Sequence, residues 1–304
     1  MNYFLFLNRL IINFRVKKKI RIFRAALRSI QNQYVGKPSK KLKFSFLVIL
    51  HYFYKTIGIK KKVNFPESKF KLQNITLITR PDTIDFWACL ESYEPDLTYF
   101  LTEIIKNQKG NFIDIGGHIG RFTVLMAKSG WKTITFEPME SNYNSLIRNL
   151  EFNDCQKNAI VYNLGLSEEN RTQTIYFDPR EMGEASVMNT NQGSETQIRI
   201  VRFDDFMKDT EFEDFCMVKM DIEGNEERAI NGMRNFLTQH KPLLVIELWK
   251  EHSKTLIPYL KSLGYKRLHI FWYIEQKHGG PIGEMRKLYE NSGMKLNEEG
   301  ELLN

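Results

Sequence analysis

The run Phe112-Ile-Asp-Ile-Gly-Gly-His-Ile-Gly120 constrains this chain more than any other: a hydrophobic strand ends in glycines and a helix opens behind them. Glycines at such a junction let the backbone turn tightly and approach a ligand closely. Twenty-three residues after Asp114, a second apolar run closes on Thr135-Phe136-Glu137-Pro138. A carboxylate at that place can accept both ribose hydroxyls of a bound nucleoside. Strand, turn, helix, strand and acid in this order predict an α/β fold with a parallel sheet and a nucleoside-type ligand at its edge.

Two details select the ligand. The spacing from Gly116 to Gly120 does not fit G-x-G-x-x-G, whose helix amino terminus cradles a pyrophosphate. S-adenosylmethionine has no pyrophosphate, and Asp114, an acid within the motif, can meet the ammonium of its methionine end through water or backbone groups. The cofactor-binding candidates from these segments are Asp114, Gly116, Gly117, His118, Gly120, Glu137 and Pro138. The plain alternative is a tight strand-to-helix turn that holds nothing.

Around this motif strands and helices alternate at short intervals, the signature of a sheet covered on both faces. Strands are expected at Asn111 to Ile115, Lys132 to Phe136, Ala159 to Leu164, Met217 to Met220 and Leu243 to Leu248. Helices are expected at Tyr99 to Lys106, Gly120 to Ser129, Glu140 to Asn153, Glu226 to Gln239 and Ser253 to Leu263. Phe70 to Thr79 alternates apolar and polar residues, as an edge strand or hairpin does. Between Thr172 and Val201 two strand-like runs flank a Gly-rich loop, which reads as an inserted hairpin. Residues 1–65 form a basic helical arm, 66–110 a connecting segment, and 111–304 the cofactor-binding domain.

The chain resembles the FkbM-family methyltransferases over Tyr93 to Leu248. The resemblance rests on Phe112 to Gly120, Phe136-Glu-Pro138, the Asn163-Leu-Gly-Leu-Ser167 turn, Gly183-Glu-Ala-Ser186, Val218-Lys-Met-Asp-Ile-Glu-Gly224 and Pro242-Leu-Leu-Val-Ile-Glu247. It implies a class I methyltransferase with a Rossmann-like sheet that uses S-adenosylmethionine to methylate hydroxyls of sugars, glycans and other small molecules. The family usually carries Ala-Asn where this chain has Gly117-His118. Tyr93-Glu94 and Ser186 fall in segments similar to the family's cleft-lining loops, which adds Glu94 to the cofactor-binding set; a helix start and a turn residue are their bland alternatives.

Methyl transfer from a sulfonium to oxygen is an in-line displacement that needs the acceptor positioned and its hydroxyl deprotonated. Open parallel sheets bind ligands at the carboxyl ends of their strands, where Asp221, Glu223 and Glu247 are expected. These acids could supply a general base with an orienting partner, or together bind a divalent cation; the metal-free version is preferred. Asp221 and Glu223 could instead cap the helix that starts near Glu226. Lys219 is open between an ion-pair role and the acceptor site. His240, His252 and His269 share no metal-ligand spacing, and only His252 is placed to enter the cleft.

Charge divides the chain. Residues 1–66 hold sixteen Lys or Arg and no acid, although the whole chain carries only +8. An anionic membrane surface, a solvated extension packed on the body, and nucleic acid are the candidate partners of this arm. Adenine methylation would call for an Asn/Asp-Pro-Pro-Tyr type element where this chain has Asp221-Ile-Glu-Gly224, which argues against nucleic acid. A non-catalytic membrane-associated binding protein is the remaining alternative. Tyr3 to Phe14 lacks the charge-first order of a secretory signal, and three cysteines without paired spacing indicate neither a disulfide framework nor zinc. The expected setting is cytoplasmic, with peripheral attachment to the inner membrane surface left open.

Overall fold

The computed structural model describes residues 23–59, 61–179, 193–213, 215–247 and 250–265, with two short strands near the carboxyl end. In chain order the described elements begin with helix α1 (23–33), β1 (Tyr34–Val35) and α2 (Pro38–Ile57). They continue with β2 (Ser68–Leu72), β3 (Ile75–Thr79), α3 (Phe86–Cys89) and α4 (Pro95–Asn107). The αβ alternation then runs β4 (Asn111–Ile115), α5 (Arg121–Lys128), β5 (Lys132–Phe136), α6 (Glu140–Phe152) and β6 (Ala159–Tyr162). An insertion follows, made of β7 (Gly165–Ser167), β8 (Arg171–Phe177), β9 (Ser194–Arg202) and α7 (Phe203–Phe206). The chain returns through β10 (Cys216–Met220), α8 (Glu226–Gly232), α9 (Arg234–His240), β11 (Leu243–Ile246) and α10 (Lys250–Ser262).

The central sheet has the order β11-β10-β4-β5-β6, with every pairing parallel. Strand order reverses between β4 and β10, because β5 and β6 extend to one side of β4 while β10 and β11 extend to the other. A crevice opens at the carboxyl ends of the strands at such a switch point. The two-residue period of each strand sorts side chains between two layers. Ile113, Ile115, Ile134, Phe136, Val218 and Met220 bury one face against Ala229, Ile230, Leu237 and Leu256 of α8, α9 and α10. Phe112 and Met217 bury the other face against Leu101 of α4 and Phe122 and Met126 of α5.

The insertion is the expected hairpin, β8 antiparallel to β9, enlarged by β7, which pairs in parallel with β9. The Asn163–Ser167 turn therefore ends in a strand. The helix expected over Glu226 to Gln239 is broken at Met233. A Cβ on Gly232 would stand 2.1 Å from the Ser167 carbonyl oxygen, so glycine lets this corner abut β7, and the chain restarts as α9.

Part of the basic amino-terminal segment is built into the body. Ala26 and Ile30 of α1 and Phe44 and Val48 of α2 join Val63, Phe65, Phe70, Leu72, Ile75 and Leu77 in one cluster that reaches Ile119, Val124 and Leu146. Phe44 is ringed by Tyr34, Phe65, Phe70 and Phe86 at 5.4 to 5.5 Å between centroids. Residues 1–22 of the expected arm lie outside the described residues.

Candidate active site

The switch point is a contact between two backbones. Gly116, just past β4, has φ 87°, and a Cβ there would lie 1.9 Å from the carbonyl oxygen of Asp221, just past β10. Only glycine serves where both a left-handed φ and such an approach are required. Gly117 has a different reason, since a side chain there would meet Thr135 and Leu146, and Gly120 combines a left-handed φ of 92° with a Cβ that would meet Leu146. These two glycines are required by the packing of the turn against α6 and β5.

Strand register assembles a polar row beneath the crevice. Lys219 of β10 pairs with Asp114 of β4, and Asp114 pairs with Thr135 of β5. Residues in register on parallel strands share a face, so all three point toward α5, which contributes Thr123. Thr123 Oγ1 donates to Asp114 Oδ2 at 2.7 Å and lies 3.0 Å from Thr135 Oγ1. Lys219 Nζ stands 3.6 Å from both Asp114 Oδ1 and Asp221 Oδ2 and donates to the Gly116 carbonyl at 3.1 Å. Asp114 is 1% exposed and Lys219 5%. Burial disfavours the Lys219 ammonium, but Asp114, Asp221 and Glu94 outweigh it and hold its pKa above the ordinary value. Burial raises the Asp114 carboxyl against the pull of Lys219. For Asp221 burial also opposes ionisation, but Lys219 prevails and the pKa lies below the usual carboxylate value. Lys219 is therefore an ion-pair hub, the first of the two roles left open by sequence.

Glu137 is buried and turned toward the glycine loop. Its Oε2 accepts the His118 N–H at 2.8 Å, and its Oε1 accepts from Met139 N–H at 3.0 Å and Asn142 Nδ2 at 3.2 Å. A carboxylate has roughly four acceptor positions, so three donors leave it a single place for an outside hydroxyl. Burial raises its pKa despite these donors. Pro138 sits beside it, its carbonyl accepting from Asn163 Nδ2 at 3.0 Å. The His118 imidazole has Nε2 3.7 Å from Asp85 Oδ1, and burial lowers its pKa to about 4, which keeps it neutral at pH 7. Asp85 is held in turn by Arg80, whose Nε and guanidinium reach both oxygens at 2.8 and 2.7 Å.

Asp221, Glu223 and Glu247 converge, each offering an oxygen within 4.8 Å of the others. Partial burial, and then the charge of Asp221, push the Glu247 carboxyl up to about 9. The helix cap expected from Asp221 or Glu223 is not made: Asn225 stands at the cap position of α8 without a side-chain cap, and Glu226 instead folds back on the turn, its Oε1 accepting from the Ile222 and Gly224 N–H groups at 3.0 and 3.3 Å. Opposite charges thus bracket the crevice floor, with the buried Lys219 set between Asp114 and Asp221.

The loop carrying Tyr93 and Glu94 is fastened by Arg121, a residue the sequence reading passed over. Its guanidinium donates to the carbonyls of Ala88, Leu90 and Tyr93 and to Thr98 Oγ1 at 2.6 to 2.9 Å. Glu94 precedes α4 at φ 44°, and its charge favours the protonated forms of Lys219, Arg121 and Glu247, although burial still leaves the Arg121 pKa below its ordinary value. His118 at φ 48° and Glu223 at φ 55° are left-handed as well. Non-glycine residues in that region store strain, and three of them converge on one crevice. His240 packs against Phe212 and Phe236. Ser186, His269 and the side chain of His252 lie outside the described residues.

The sequence pattern of the methyltransferase FkbM domain matches residues 114–267. Among solved structures, methyltransferase FkbM from Methylobacillus flagellatus aligns at 17% identity and TM-score 0.39, over 80% of this chain and 52% of that one. The Pyrococcus abyssi tRNA (uracil-54, C5)-methyltransferase with S-adenosyl-L-homocysteine aligns at 16% identity and TM-score 0.38, covering 65% of this chain and 37% of that one. The N-terminal domain of human METTL16 with S-adenosylhomocysteine aligns at 16% identity and TM-score 0.35, covering 57% and 61%. The chain thus spans about half the length of the FkbM structure it matches. No curated protein matches.

Proposed function

The chain belongs to the FkbM methyltransferase family, with S-adenosylmethionine as its cofactor, and from that premise we propose that it methylates a hydroxyl oxygen of a sugar, glycan or other small hydroxylated acceptor. The observation that carries the reading is the convergence of Asp221, Glu223 and Glu247 at the carboxyl edge of β10 and β11, beside the glycine turn.

The donor set fits the cofactor. S-adenosylmethionine carries a sulfonium and an ammonium, and the crevice presents Asp221, Glu223 and Glu247 just past the ends of β10 and β11, above the buried pair of Asp114 and Lys219. Glu137 keeps one acceptor position for a ribose hydroxyl, and α5 opens with backbone N–H groups toward the carboxylate end. Asp114, Gly116, Gly117, His118, Gly120, Glu137, Pro138 and Glu94 form this binding set. Asp114 acts from below, holding Lys219, and so fixes the position of Asp221.

The bound cofactor supplies an electrophilic methyl on sulfur. Glu247 is the general base: in its ionised form it takes the acceptor proton while the oxygen–carbon bond forms and the carbon–sulfur bond breaks. Its pKa near 9 makes it a stronger base than an ordinary carboxylate. Asp221, kept ionised by Lys219, repels charge on Glu247 and orients it. Glu223, on its left-handed turn, completes the acidic wall against which the acceptor hydroxyl is placed.

Calorimetry with S-adenosylmethionine tests the cofactor set. Asp114→Ala and Glu137→Ala should each weaken binding, and normal affinity in both would overturn it. Turnover with a labelled donor tests the chemistry: an ether product on a hydroxylated acceptor supports the proposal, and label on an RNA base instead would replace it.

A further inference from the structure

Helix α2 has two apolar faces. One is consumed in the core through Phe44 and Val48. The other consists of Leu42, Phe46, Ile49, Phe53 and Ile57, with exposures from 44% at Ile49 to 71% at Leu42. Their spacing of i, i+4, i+7, i+11 and i+15 keeps them on one side of a 3.6-residue helix. Ile59, one residue beyond the Gly58 that ends the helix, is exposed too. A continuous exposed stripe of this kind marks an interaction surface rather than scattered surface residues.

Charge selects the partner. Exposed Lys37, Lys40 and Lys43 stand at one end of the helix, and Lys55, Lys61 and Lys62 at the other. No acid occurs before Glu67. Two copies of the helix, parallel or antiparallel, would set lysines against lysines. The chain's own first 22 residues, with six Lys or Arg and no acid, meet the same repulsion. An anionic lipid surface satisfies both features at once, since it offers phosphates to the lysines and an apolar interior to the stripe. Among the described residues no helix is long and apolar enough to cross a membrane, so the helix would lie along the surface.

We propose that α2 docks lengthwise on an anionic phospholipid interface, inserting Leu42, Phe46, Ile49, Phe53 and Ile57 while the lysines at its ends contact phosphates. The surface is separate from the crevice residues, and the proposal stands independently of the acceptor's identity.

The test is co-sedimentation of the full chain with vesicles of phosphatidylcholine alone and of phosphatidylcholine with phosphatidylglycerol. Binding is expected only to the anionic vesicles and should weaken with salt. Phe46→Glu combined with Phe53→Glu should lower partitioning about tenfold or more. Both side chains are exposed, so an unchanged melting temperature should confirm that the variant folds. Lys43→Gln with Lys55→Gln and Lys61→Gln should reduce the dependence on phosphatidylglycerol. Failure of the unaltered chain to bind anionic vesicles overturns the proposal, as does binding that survives the paired Phe changes. A lipid-free dimer that those changes dissociate would assign the stripe to a second copy and equally overturn it.

Discussion

Lys219 and Asp114 occupy paired positions on neighbouring parallel strands, with Nζ 3.6 Å from Oδ1, both almost without solvent contact. Asp221 completes the arrangement at the same distance. The geometry makes the lysine a counterion shared between the strand that begins the cofactor turn and the strand that delivers the acid cluster.

Lys219→Met should destabilise the fold by about 3 kcal/mol, because the buried Asp114 and the partly exposed Asp221 lose their shared cation. Asp221 has a depressed folded pKa, so its contribution to stability is present above the ordinary carboxylate range and lost as pH falls through the folded value. Urea unfolding should therefore show a gap between wild type and variant at pH 7 that narrows in acid, where protonation relieves the unpaired charges.

Gly116→Ala should be more damaging than its size suggests. The added methyl would occupy the space of the Asp221 carbonyl on a backbone at φ 87°. A loss of about 3 kcal/mol or more is expected in thermal unfolding, together with loss of cofactor binding in calorimetry. A variant that keeps both would refute the close approach of the two turns.

Glu247 gives a pH signature. Its carboxyl is protonated at neutral pH because its pKa is raised from 4.5 to about 9, so kcat/KM should climb as pH rises through that value. Glu247→Gln should lower the rate by about 10² to 10⁴ and flatten the climb. The sign for stability is opposite: a group with a raised acidic pKa costs the fold stability as pH rises past its unfolded value. The variant should therefore resist denaturant slightly better than wild type at pH 9, while a general structural defect would weaken it at every pH.

Arg121→Met should loosen the loop before α4. Three carbonyls and one hydroxyl lose their shared donor, for a cost of about 2 to 4 kcal/mol. Hydrogen exchange should rise across residues 88–98, and the KM for S-adenosylmethionine should increase more than kcat falls, since Glu94 lies on that loop and Glu247 just past β11.

Much of the fold was readable in sequence because its signals are local. β4 and β5 fall at the residues expected for them, since short apolar runs bounded by glycine and proline define strands without reference to neighbours. The break at Met233 and the strand at Gly165–Ser167 were not readable. Each exists because β7 and the end of α8 touch at Gly232, a contact between segments far apart in the chain.

The site divides in the same way. Sequence alone determined the glycine turn, the acid ending β5 and the three acids that follow β10 and β11, because each lies at a strand end whose chemistry is written in adjacent residues. Tertiary structure decided what those groups do to one another. Register aligned Lys219 with Asp114, and Arg121 reached across to fasten the Glu94 loop. Which apolar face of α2 is buried was decided there too, since periodicity marks a face as apolar and only packing fixes which one the core claims. The physical reason is common to all three: strand pairing, the anchoring of a loop and burial are interactions through space, and their partners lie at sequence separations that no local pattern encodes.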